Sequence, residues 1–250
     1  MVMSVWNGVF ETFAAARGDS TVFHGDIWVQ KLLDRAERDV AGLQGGALPD
    51  TAAMRDYPTL PIAALLGMKR KPINILDYGG GMGTGYFQLK AALPEFSGSY
   101  HVVEMAAVCE VARKRLAGFG NLHFYEEMPS ALPALDIAQI ASALHYVEDW
   151  RALLKQIASL RAGIFILADL LAGDIPTFVT TQNFYGARIP VWLWNVKDIC
   201  KEMQQCGYKP ILMTKHLTSV RGKDGPLPMS DLPESHRLDH SCNIVFALEG

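Results

Sequence analysis

Three places in this sequence hold residue types at spacings that can do chemistry: a glycine-rich turn at 77–83, an acid at Glu104 and a histidine at His145. The turn reads Asp77-Tyr-Gly79-Gly80-Gly81-Met-Gly83. Ile73, Ile75 and Leu76 come before it as a short buried strand that Asp77 ends. A helical pattern begins near Thr84 and runs to Pro94. Strand, glycine turn and helix make the first half of a nucleotide-binding unit. Glycine lets the backbone approach a ligand and take positive φ. The following helix presents N–H groups that have no partner inside it. A pyrophosphate suits such a turn at G-x-G-x-x-G spacing. Here the spacing is Asp-x-Gly-x-Gly-x-Gly, and the carboxylate two residues before the first glycine disfavours a pyrophosphate and suits a cation.

Glu104 closes the second apolar run, Ser99-Tyr-His-Val-Val-Glu104. A carboxylate at that strand end can accept both hydroxyls of a ribose, which supports a nucleoside ligand without choosing its class. His145 lies in Ser142-Ala-Leu-His-Tyr-Val-Glu-Asp-Trp150, just past the fourth strand. With an ordinary pKa of about 6.5, a histidine there is largely neutral at pH 7 and can take a proton.

The elements that must position these residues follow from periodicity. Strands are expected at 73–76, 99–104, 121–125, 135–141 and 163–169, with helices at 106–117 and roughly 149–160 between them. This alternation predicts an α/β fold with a mostly parallel sheet covered on both faces. Ligands of such sheets sit outside the carboxyl ends of the strands. Residues 1–70 read as a helical extension: 9–14 have a helical spacing, 26–44 form an apolar stripe with Asp26 as N-cap, and 62–68 form a shorter apolar helix. After a helix at 197–206, two more strands are expected at 208–214 and 242–248. Two long connections, 170–191 and 216–241, are expected over the ligand face. They carry the polar residues a substrate would need: Gln182, Asn183 and Tyr185 in the first, His236 and His240 in the second.

Composition narrows the class. The 250 residues carry a formal net charge of −3, with half of them hydrophobic and a fifth charged. No basic stripe of a nucleic-acid binder is present. The four cysteines, Cys109, Cys200, Cys206 and Cys242, show no metal spacing and read as small buried residues or reduced thiols in a cytoplasmic protein. No metal is expected. The sequence reads without a signal peptide or a membrane span.

The turn with Asp77, together with Asp136-Ile-Ala and Ala143-Leu-His-Tyr-Val-Glu-Asp149, resembles the first and fourth motifs of class I S-adenosylmethionine-dependent methyltransferases. More narrowly, Trp6-x-Gly8, Thr180-Thr-Gln-Asn-Phe-Tyr-Gly186 and Pro190-Val-Trp-Leu-Trp-Asn195 look like a bacterial methyltransferase family associated with cell-surface polysaccharide biosynthesis. The resemblance implies a Rossmann-like fold over 71–250, with a seven-stranded sheet whose last strand runs antiparallel between the fifth and sixth. It implies S-adenosylmethionine as cofactor, bound by Asp77, Gly79, Gly80, Gly81, Gly83, Glu104, Met105 and Ser142. Glu126 or Glu127 would read the adenine. The acceptor would be a small molecule or a glycan, a hydroxyl most readily, and His145 would be its base. Two other readings stay open: a binding module that keeps the fold without the reaction, and a dinucleotide-dependent oxidoreductase.

Overall fold

The computed structural model describes residues 5–19, 21–45, 58–68, 72–184, 186–216, 219–220 and 223–249. The first described elements are a strand, β1 (Trp6–Phe10), and a single helical turn, α1 (Phe13–Ala16). The helical spacing expected at 9–14 is therefore split. Gly8, at φ 80, and the pairing of β1 with a distant strand override local propensity. Helix α2 (Asp26–Gln44) is capped by Gly25 and not by Asp26, which instead sits in its first turn. Helix α3 (Thr59–Met68) precedes the nucleotide-binding unit.

That unit runs β2 (Asn74–Tyr78), α4 (Thr84–Ala92), β3 (Ser99–Val103), α5 (Ala106–Arg115) and β4 (Leu122–Tyr125). It continues with β5 (Ile137–Ala141), α6 (Trp150–Ala158) and β6 (Ile164–Leu170). Asp149 caps α6, its carboxylate accepting from the Ala152 N–H at 3.0 Å. Next come β7 (Ala172–Gly173), β8 (Phe178–Phe184), β9 (Ala187–Asn195), α7 (Val196–Gln205) and β10 (Tyr208–His216). A small hairpin, β11 (Ser219–Val220) with β12 (Lys223–Asp224), and the last strand, β13 (Ser241–Leu248), complete the chain.

One sheet has seven strands in the order β10-β13-β6-β5-β2-β3-β4. Strands β2 to β6 pair parallel, and β13 lies antiparallel between β6 and β10. The order reverses at β2, which has β3 on one side and β5 on the other. That reversal opens a crevice at the carboxyl ends of these strands. Apolar residues pack both faces of the sheet. Tyr86, Phe87 and Ile75 belong to one layer, and Trp150, Leu154 and Phe165 to the other.

The sequence reading did not foresee a second, four-stranded sheet, β1-β8-β9-β7. The segment 170–191, expected as a loop, supplies three of its strands. Phe178-Val-Thr-Thr and Ile189-Pro-Val-Trp-Leu-Trp are β-branched and aromatic runs that pair antiparallel, and strand propensity explains them. Trp6 pairs with Gln182, which brings the start of the chain against this hairpin. Below it lies a third core, to which Leu227, Met229, Leu232 and Leu238 of the 216–241 connection contribute buried side chains.

Candidate active site

A cavity of about 910 Å³ lies at the carboxyl ends of β2, β3, β5 and β6. Its wall also includes side chains from residues 5–31 and from the β8–β9 hairpin. Ligand pockets commonly hold about 300–1,000 Å³, so this one is large enough for two small molecules side by side.

The glycine turn divides its labour. Gly79 lines the cavity at φ 71, and a Cβ there would stand 2.4 Å from Ala143 Cβ. Its N–H donates to the Val103 carbonyl at 2.9 Å. Gly80, Gly81 and Gly83 do not line the wall. They shape the turn instead. A Cβ on Gly80 would meet the Asp77 carboxylate at 2.5 Å, and one on Gly81 would meet Leu32 of α2 at 3.2 Å. Gly83 caps α4 at φ 83.

Asp77 is buried behind the turn and is not on the cavity wall. Its carboxylate accepts from the Tyr100 hydroxyl at 2.7 Å and from Gln139 Nε2 at 3.3 Å. Burial raises its pKa to about 6, against the lowering effect of those two bonds.

Glu104 does line the cavity, with Met105 beside it. One carboxylate oxygen accepts from the Gly81 N–H at 3.2 Å and the other from the Met105 N–H at 2.8 Å. Each oxygen keeps a lone pair for a further donor. Burial raises the Glu104 pKa, and the two backbone bonds oppose the rise. Of the two candidate acids after β4, Glu126 is on the wall and pairs with Arg113 at 2.7 Å, whereas Glu127 is exposed away from it.

Ser142 ends β5 and lines the wall, donating its hydroxyl to Asp169 at the end of β6. Asp169 also lines the wall, accepts from the Ser241 hydroxyl at 2.5 Å, and lies 3.6 Å from His216 Nε2. Sequence reasoning missed Asp169, although the signal was available: like Glu104, it is an acid closing a buried strand.

His145 sits in a helical turn, Leu144–Tyr146, and lines the cavity while almost fully buried. Burial lowers its pKa to about 4, with the Asp169 charge opposing the shift. The imidazole is therefore neutral at pH 7 but a weaker base than an ordinary histidine.

Gln182 and Asn183 are on the wall, and Gln182 Oε1 accepts from the Tyr146 hydroxyl at 2.8 Å. Tyr185 lies outside the described residues. His236 packs edge-on against Phe178 at 4.8 Å, and His240 Nδ1 lies 3.0 Å from the Ser241 carbonyl oxygen; neither lines the cavity. Aromatic side chains that the sequence did not assign to a site also line it, among them Phe23, Trp28, Tyr146 and Phe184. Among the described residues, no group of three or more His, Cys, Asp or Glu could hold a metal ion, and no helix is long and apolar enough to cross a membrane.

Comparison with solved structures places this architecture. The chain superposes on the 1,6-didemethyltoxoflavin-N1-methyltransferase of Burkholderia thailandensis, which holds 1,6-didemethyltoxoflavin and S-adenosylhomocysteine. The TM-score is 0.54 at 16% identity, covering 93% of this chain and 92% of that one. The fold is that of the class I methyltransferases. The protein bound to the Trm112 methyltransferase activator in a Haloferax volcanii complex is similar as well, with TM-score 0.53, 14% identity, and coverage of 89% and 98%. A pericyclic reaction enzyme also shares the fold, at TM-score 0.51 and 12% identity, covering 76% of this chain and 47% of that one. One fold therefore serves more than one chemistry, and at these identities the likeness concerns architecture alone. No family model and no curated protein matches the sequence.

Proposed function

We propose that this chain is an S-adenosylmethionine-dependent methyltransferase acting on a small-molecule acceptor. The observation that carries the reading is the shared wall of Gly79 and Glu104 at the point where the strand order reverses. A side chain at Gly79 would fill the approach to the turn, and Glu104 offers two oxygens, each already steered by a backbone N–H. This donor set fits a nucleoside: Glu104 would accept the ribose hydroxyls. Met105 would flank the adenine and Glu126 would reach its amino group. When bound, S-adenosylmethionine supplies a methyl group whose bond to sulfur breaks, leaving the electron pair on sulfur, as an acceptor lone pair takes the carbon.

The chain's own residues align the partners and exclude water, which is most of what a transfer from an activated carbon requires. Ser142, through its bond to Asp169, ties the ends of β5 and β6 together on the cavity wall. His145, held neutral by burial, can accept a hydrogen bond from an acceptor O–H or N–H. It is a poor base for an aliphatic hydroxyl, the acceptor group that the sequence resemblance favours.

Calorimetry with S-adenosylmethionine, S-adenosylhomocysteine and NAD tests the reading. The first two should bind and NAD should not. At 100 times its Kd, the bound ligand should stabilise the fold by about 2.7 kcal/mol. A chain that binds NAD, or that binds neither S-adenosyl compound, is not this enzyme.

A further inference from the structure

We propose that the part of the cavity formed by Phe23, Trp28, Tyr146 and Phe184 takes a planar aromatic acceptor, neutral or anionic, in preference to a glycan or an amine. The proposal rests on the methyltransferase reading above.

The four rings come from three separate parts of the chain and face one space. Phe23 lies 5.3 Å from Trp28, 4.8 Å from Tyr146 and 6.4 Å from Phe184, and Trp28 lies 6.1 Å from Phe184. Three of these contacts are steep, at 62° to 73°. Rings at such angles form the walls of a slot rather than one flat platform. All four remain partly exposed, although Trp28 and Tyr146 also pack against the neighbouring cores. A flat apolar ligand covers that surface and meets ring edges and faces in the geometries aromatic pairs prefer.

A sugar fits less well. Its several hydroxyls each need a partner once water is excluded. Polar side chains near this region include Gln182, Asn183, Lys31 and His145, and Gln182 Oε1 already accepts from Tyr146. A cationic amine would ordinarily suit an aromatic cage. Here Lys31 Nζ already stands over two of the walls, 5.6 Å from the Trp28 centroid and 5.5 Å from that of Phe184. The cation position over these two rings is thus already taken. Of the cavity's acids, Glu104 and Glu126 directly follow β3 and β4, and Asp169 is the next-to-last residue of β6.

The proton-accepting groups agree with this choice. Asp169 is engaged by two serine hydroxyls, and His145 is a neutral, buried imidazole. An aliphatic hydroxyl is about as weak an acid as water, far weaker than a neutral imidazole can deprotonate. A phenol, with a pKa of about 10, gives up its proton to much weaker bases. A ring nitrogen with a free lone pair has no proton to give up.

Isothermal titration of the full chain tests the proposal with four probes: 2-naphthol, 6-hydroxy-2-naphthoate, 2-naphthylmethylammonium and maltotriose. The two naphthols should bind, and the ammonium and the sugar should bind far more weakly. Trp28→Ala and Phe184→Ala should each weaken 2-naphthol about tenfold. Lys31 is exposed, and Lys31→Glu is compared with the parent once its urea unfolding shows a folded chain. It should invert the order of the naphthoate and the ammonium. Maltotriose binding in preference to 2-naphthol, or unchanged 2-naphthol affinity in folded Trp28→Ala and Phe184→Ala, would overturn the proposal. Titrating S-adenosylhomocysteine into the same preparations separates the two readings. If it binds and the naphthols do not, only this proposal fails; if the naphthols bind and it does not, the methyltransferase reading fails.

Discussion

Ser142 donates its hydroxyl to Asp169, and both residues hold left-handed backbone, at φ 54 and 49. Neither is glycine, and each such residue costs on the order of 1–3 kcal/mol. The surroundings hold them in place. The Ser142 N–H donates to the Ala168 carbonyl at 3.0 Å, and the Asp169 N–H donates to Asn243 Oδ1 at 3.0 Å. Strained residues tied down in this way concentrate at functional sites. Here they join the ends of β5 and β6 where the two halves of the cavity meet.

Asp169→Asn should therefore destabilise the chain. The carboxylate accepts from two hydroxyls, and hydrogen bonds to a charged group are worth about 1.5–3 kcal/mol. Urea unfolding should show a loss in that range, with S-adenosylhomocysteine affinity little changed. A neutral substitution would mean that the two serine contacts contribute nothing net.

Glu104→Gln separates the ribose role from a structural one. The amide keeps one acceptor oxygen for a backbone N–H and loses the charge and one acceptor. Binding of S-adenosylhomocysteine should weaken by about 1.5–3 kcal/mol in calorimetry. Gly79→Ala should also reduce binding, and it should lower stability, because its Cβ would meet Ala143 Cβ at 2.4 Å and φ is 71. Gly81→Ala is the control. Its new Cβ meets only the flexible Leu32 tip at 3.2 Å, so it should cost backbone strain at φ 59 and little else. Equal loss of affinity in the two glycine variants would mean that the ligand does not approach Gly79 in particular.

The main sheet was legible in the sequence because its central strands are largely apolar runs, several with an acid at or just past the end. Asp77, Glu104 and Asp169 all close such runs, yet sequence position does not say which carboxylate faces the cavity. Tyr100 and Gln139 turn Asp77 inward, whereas Ser142 and Ser241 hold Asp169 at the wall. These partners are 23 to 72 residues away in the chain, so no local pattern reveals them. The first strand of the second sheet was hidden for the same reason. Strand β1 is defined by Trp6 pairing with Gln182, and a segment of five residues has little propensity of its own.

Stability should depend on pH through two histidines. Burial lowers both His145 and His101 from 6.5 to about 4, and at His101 the neighbouring His123 adds to the shift. A group whose folded pKa is depressed contributes stability that is complete above the unfolded value and is lost as pH falls toward the folded one. Both histidines thus make the fold weaken between about pH 6.5 and 4. Asp77 acts in the opposite sense. Its pKa is raised to about 6, so ionisation destabilises the fold as pH rises from about 4 to 6. Comparing His145→Gln with the parent cancels the other groups. At 1.36 kcal/mol per unit, the parent should lose roughly 3 kcal/mol more than the variant over that window. Parallel curves in urea unfolding at pH 4.5 and 7.5 would mean that His145 titrates normally.

The cavity's cover is shared between the start of the chain and the hairpin, and this determines which segments should respond to ligand. Phe23, Trp28 and Lys31 reach the wall from one side, and Gln182, Asn183, Phe184 and Gly186 from the hairpin. In the 216–241 connection, by contrast, Leu227 lines the wall, while Met229, Leu232 and Leu238 are committed to the core below the second sheet. Both long connections looked like lids in the sequence. The contacts now separate them. Hydrogen exchange with S-adenosylhomocysteine alone should protect 79–81 and 104–105. Adding an aromatic second ligand should extend protection to 21–31 and to the hairpin end, 182–187, as closing segments do. Residues 229–240 should exchange at the same rate throughout, because their buried anchors are set before any ligand arrives. Protection of 229–240 comparable to that of 182–187 would make the second connection a moving part after all. A second ligand that leaves 21–31 unprotected would place it somewhere other than among the four rings.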